Sequence, residues 1–183
     1  MKALLLAAMA VISISACAPQ GDDEHADLGQ ACTAAATTSW QGLEIEASTR
    51  GPDCARAAVT LVFRAANSGE IARMETHRAM DVAPLAAIND AAGMQAALSA
   101  WIDQTNPEFA TSANLPDWQS NAETPMRGDF AFVPSEGTSR EAYDVLRARS
   151  APLFCYVRGL ESINCLALVD GELDSIGVQT FPG

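Results

Sequence analysis

Histidine and lysine are almost missing from this 183-residue chain, which has two histidines, His25 and His77, and one lysine, Lys2. A serine nucleophile of the Ser-His-acid kind needs a histidine to take its proton. Only His77 lies beyond the polar N-terminal stretch, in Arg73-Met74-Glu75-Thr76-His77-Arg78, which reads as a solvated strand. The chain also lacks a Gly-x-Ser-x-Gly elbow, Gly-x-Gly-x-x-Gly, the P-loop pattern, His-Glu-x-x-His and Cys-x-x-Cys. We therefore assign no catalytic residue, no cofactor and no metal site. Asp170-Gly171-Glu172-Leu173-Asp174 opens like a calcium loop, but Ser175 and Phe181 stand where Gly and Glu are required. Hydrolysis by carboxylates needs two acids held together, and no motif selects a pair among the 23 acids.

Basic charge is equally scarce, at 11 Lys and Arg against 23 Asp and Glu, a net charge of −12. The ten arginines are spread from Arg50 to Arg158 and form no anion clamp. Nucleic acid, bound largely through Lys and Arg contacts to phosphate, is excluded as a partner. Docking of the protein surface on anionic lipid is disfavoured for the same reason. No apolar run is long enough to span a bilayer, since residues 3–14 supply twelve residues where about 20 are needed.

That short run follows Lys2 and ends in Ile14-Ser15-Ala16-Cys17, then gives way to the polar Ala18-Pro19-Gln20-Gly21-Asp22-Asp23-Glu24. A hydrophobic residue, two small residues and a cysteine resemble the lipobox of bacterial lipoproteins. The resemblance implies a signal peptide over residues 1–16, acylation of Cys17 and a flexible tether over residues 17–27. Several acyl chains at about 0.8 kcal/mol per buried methylene would then hold the protein at a membrane without a spanning helix. Ala18, rather than Asp, follows the cysteine, which by the enterobacterial sorting rule implies the periplasmic face of the outer membrane.

With Cys17 acylated, Cys32, Cys54, Cys155 and Cys165 remain, an even set that predicts two disulfides in an oxidising compartment. Four cysteines allow three connectivities, and local geometry favours one. Two β-like runs flank Gly159-Leu160-Glu161, so facing residues sum to 320 and Cys155 falls opposite Cys165. Cys32 and Cys54 are then left for each other.

Residues 28–183 read as a single α+β domain, with an N-terminal antiparallel meander and C-terminal hairpins packed against two or three helices and braced by disulfides. Asp27 reads as the cap of a helix over residues 28–39. Strands are expected at residues 43–47, 56–66 and 70–80, with the Val59-Thr60-Leu61-Val62-Phe63 strand central. Ala91, Met94, Leu98, Trp101 and Ile102 share one side of a helix over residues 90–104. Thr138-Ser139-Arg140-Glu141 is a capping box ahead of another helix, and Asp170-Gly171 is a two-residue hairpin turn. Residues 105–129 carry no periodicity. Phe109, Leu115 and Trp118 suggest that this stretch packs on the body, while Trp118, Arg127 and Asp129 offer a binding surface.

The expected role is a non-catalytic envelope protein, anchored through Cys17 and contacting another envelope protein or assisting its assembly. A glycan- or peptide-binding module using residues 105–129 is the alternative, and a carboxylate-dependent hydrolase comes third.

Overall fold

The computed structural model describes residues 31–104, 106–159 and 161–181. Strands β1 (Cys32–Trp40), β2 (Leu43–Gly51), β3 (Ala58–Ala65) and β4 (Ile71–Arg78) form a four-stranded antiparallel meander in chain order. Central placement of β3 follows from its composition, because Val59, Leu61 and Phe63 are buried on one face and Val62 on the other. Helices α1 (Ala83–Ala86) and α2 (Ala91–Trp101) come next. They are followed by β5 (Met126–Arg127), β6 (Phe130–Pro134), α3 (Arg140–Arg149), β7 (Leu153–Val157), β8 (Ser162–Val169) and β9 (Glu172–Thr180). The last five strands form a second antiparallel sheet in the order β5-β6-β9-β8-β7.

The helix expected over residues 28–39 is corrected to strand β1; Asp27, its expected cap, lies outside the described residues. Alanine at positions 34–36 favours helix locally, but Thr33, Thr37, Thr38 and Ser39 suit a pleated surface. Tertiary pairing decides the outcome. Gln41 and Gly42 both take positive φ, at 50° and 80°, making the tight turn that folds β1 back on β2. The Cys32–Cys54 disulfide then fastens the start of β1 beyond the end of β2.

Met94, Leu98 and Trp101 of α2 pack on the inner face of the first sheet, and the Asp90 carboxylate caps the helix by accepting from the Gly93 amide at 2.8 Å. One face of the second sheet closes the same core with Phe154, Tyr156 and Leu166. Its opposite face forms a second core from Leu153, Cys165, Phe132, Tyr143, Phe109 and Leu115. Gly177 serves this core directly, because a Cβ there would stand 2.7 Å from the Phe132 ring and 2.5 Å from the Val133 carbonyl.

Residues 106–129 hold only two single-turn 3-10 helices, Pro107–Phe109 and Ser112–Asn114, and the two-residue β5, and are otherwise fixed by packing and hydrogen bonds. The Ser112 hydroxyl donates to Leu146 O at 2.7 Å and accepts from Ala151 N at 2.8 Å, while the Tyr143 hydroxyl donates to Pro116 O at 2.8 Å. The helix cap is also corrected by one position. Thr138 N is used in a turn to Ser135 O, and the Ser139 hydroxyl accepts from Ala142 N at 3.1 Å in its place.

Strand β7 ends the second sheet, and its outer edge is covered by side chains. The Gln104 amide donates to Cys155 O and accepts from Cys155 N, both at 3.0 Å, and Trp101 Nε1 donates to Val157 O at 2.7 Å. A side-chain amide thus takes the place of a further strand. Gln104→Leu is expected to leave both Cys155 backbone groups unpaired and to cost about 2 kcal/mol. Urea denaturation measures this, and an unchanged midpoint would show that solvent replaces the amide freely.

Candidate functional site

Alternation along β4 places Arg73, Glu75 and His77 opposite Phe63, Leu61 and Val59, hence on the inner face of the first sheet. An edge strand with three polar inward residues cannot extend the apolar core. These side chains instead meet Tyr156 of β7 and Asn164 of β8. Arg73 Nε donates to Glu75 Oε1 at 2.6 Å, and the Tyr156 hydroxyl donates to Glu75 Oε2. Asn164 Nδ2 in turn donates to the Tyr156 oxygen at 2.8 Å, and Arg73 Nη1 reaches Leu173 O at 3.4 Å. One carboxylate therefore links the two sheets through β4, β7 and β8.

His77 is corrected from a solvated strand residue to a packed one, with its side chain only 12% exposed. Its ring lies 6.3 Å from Trp101 and 6.1 Å from Tyr156, centroid to centroid. The physical reason is its parity with Glu75 on the covered face of β4. Nε2 is buried without a hydrogen-bond partner; at 3.7 Å from Glu75 Oε2 it is too far to bond, yet close enough to favour the carboxylate.

Burial opposes ionisation of Glu75, but His77, Tyr156 and Arg73 outweigh it and bring the pKa down to about 2. The Tyr156 phenol moves the opposite way, raised first by burial and then by its bond to the Glu75 carboxylate. A carboxylate held ionised and already occupied by donors has no proton to give near neutral pH. The cluster is suited to tying sheets together.

A second candidate is a cleft of about 240 Å³ beside β7, walled by Trp101, Phe109, Tyr156 and Ile163, with Gln104 and Asn106 at its polar side. It lies at the start of the 105–129 stretch. The Gln104 amide and the Trp101 indole NH are both engaged with the β7 backbone.

The three residues proposed from sequence as a binding surface do not converge on this cleft. Trp118 packs edge-on against Tyr143 at 5.6 Å, donates to Ala122 O and carries the Arg140 guanidinium 5.3 Å above its ring. Arg127 lies over Phe109 at 5.4 Å and donates to Asn114 O, with its Nε buried and unpartnered. Asp129 is exposed, in the turn between β5 and β6. Sequence reading passed over Glu75, Tyr156 and Asn164. The available signal was the alternation of Arg73, Glu75 and His77 on a strand beside an apolar one, since such a face must find polar partners.

Among the described residues, no group of three or more His, Cys, Asp and Glu side chains could hold a metal ion, and no helix is long and apolar enough to cross a membrane. Comparison with protein-family models, with curated proteins and with solved structures finds no match for this chain.

Proposed function

We propose that this protein is a lipid-anchored envelope protein of the outer membrane, acylated at Cys17, whose domain makes a non-catalytic contact with another envelope protein. The disulfide framework carries this reading. Cys32 pairs with Cys54 and Cys155 with Cys165, which leaves Cys17 outside the framework and available for acylation. Two disulfides also suit an oxidising compartment. Cys17 lies fifteen positions ahead of the first strand.

The test is intact-mass analysis of the natively expressed protein together with membrane fractionation. Chains beginning at Cys17 and bearing acyl mass are expected, and Cys17→Ser is expected to move the protein to the soluble fraction. Retention of residues 1–16, or an unmodified Cys17, would overturn the anchor. Crosslinking in intact cells then tests the contact, and absence of any reproducible partner counts against it.

The cleft beside β7 supports a second reading, a small-ligand module, because three aromatic side chains wall it. Its polar atoms already serve the fold, which favours the first reading.

A further inference from the structure

Alternation along β2 turns Glu46, Ser48 and Arg50 away from the core, onto the outer face of the first sheet. Together with Thr60, Thr33 and Gln95 they line a groove of about 700 Å³. Glu46, Ser48 and Thr60 are half-buried there, yet none of these six side chains makes a hydrogen bond or ion pair within the protein. Elsewhere in this chain polar groups are engaged, as enclosed polar groups ordinarily are. Seven of the ten arginines bond to carboxylates or carbonyl oxygens of the fold, and Arg50 does not.

The strand register keeps the two charges of the groove unpaired. Arg50 lies between Thr33 and Ala58, and Glu46 between Thr37 and Val62, so neither has an opposite charge directly across from it. Along β2 they stand four positions apart, about 13 Å, too far to neutralise each other. Ser48 is midway between them, and Thr60 is directly across from Ser48. The groove thus presents a carboxylate, a pair of hydroxyls and a guanidinium in line.

We propose that this groove binds a dipeptide with free termini and small side chains, its ammonium on Glu46, its carboxylate on Arg50 and its central amide over Ser48 and Thr60. An extended dipeptide covers about 7 Å. A charge-assisted hydrogen bond of about 2.8 Å at each end fills the rest of the interval. Ala35 and Ala58 also line the groove and no aromatic side chain does, so it offers no platform for a bulky ligand. A ligand of zero net charge escapes the repulsion that an acidic chain exerts on anions. This site is separate from the cleft beside β7 and does not depend on the anchor at Cys17.

The probe is alanyl-alanine, added to the full chain at neutral pH, with its N-acetylated and C-amidated forms as controls. Amide NMR locates binding and isothermal titration calorimetry measures it. The free dipeptide is expected to shift the amides of residues 46–50 and 59–61, and each blocked form to bind about tenfold more weakly, the equivalent of 1.4 kcal/mol. Glu46→Gln is expected to bind the free and acetylated peptides equally, and Arg50→Gln the free and amidated ones. Neither side chain bonds within the protein, so both variants keep their fold.

No shift of these amides, blocked peptides that bind as tightly as the free one, or a loss in Glu46→Gln that acetylation still deepens would each overturn the proposal. So would shifts of the same amides by a neutral disaccharide in place of the dipeptide, which would make the groove a glycan site. Slow exchange of these amides in the free chain, caused by a second copy or by residues ahead of Cys32, would overturn it as well.

Discussion

Glu75→Gln is expected to lower the stability of the domain by about 3 kcal/mol at neutral pH. The folded pKa of Glu75 is about 2 against an ordinary 4.5. Its contribution is therefore complete above about pH 4.5 and is lost as pH falls from there toward 2. The glutamine amide keeps the shape but turns an NH₂ toward groups that are themselves donors, from Arg73 or Tyr156. Denaturant titrations at pH 7 and at pH 2 to 3 measure the difference. Wild type should lose far more stability on acidification than the variant. Equal acid sensitivity in the two would mean that Glu75 is not the carboxylate tying the sheets.

Removing the Cys32–Cys54 bridge by paired alanine substitution is expected to cost about 3 kcal/mol, the chain-entropy value for a closed loop of this length. The bridge spans 22 positions and fastens β1 to the loop after β2. Cys32 and Cys54 are both buried, so lost packing adds to lost constraint. Cys155–Cys165 closes a separation of 10 between strands already paired by their ladder, and its loss should cost less. Urea midpoints of the two double variants test the order. A Cys32–Cys54 variant as stable as wild type would show that the meander holds β1 without help.

Much of the fold was legible because the signals are local. Alternation in residues 43–47, the apolar run of β3 and the turn at Asp170-Gly171 lead to the observed strands, and the spacing about Gly159-Leu160-Glu161 puts Cys155 opposite Cys165 as found. Helix α2 could be read from Met94, Leu98 and Trp101, although it ends at Trp101 because Gln104 is drawn away to pair with β7. β1 was misread because Ala34, Ala35 and Ala36 favour helix locally while the flanking threonines and serine suit a strand, so local preference does not decide. Nothing within residues 32–40 announces that β2 lies alongside.

Composition and motif by themselves determined an acidic α+β chain with paired cysteines, since charge, turn chemistry and cysteine number belong to residues and their neighbours. Only the tertiary structure decided that Glu75, buried among Tyr156, Arg73 and His77, is a tie between sheets. It also packed Trp118 against Tyr143 and Arg127 over Phe109, and left β4 as the last strand of its sheet. Those properties depend on residues some 80 positions apart meeting across two sheets, and a burial or a pKa exists only once that meeting has occurred.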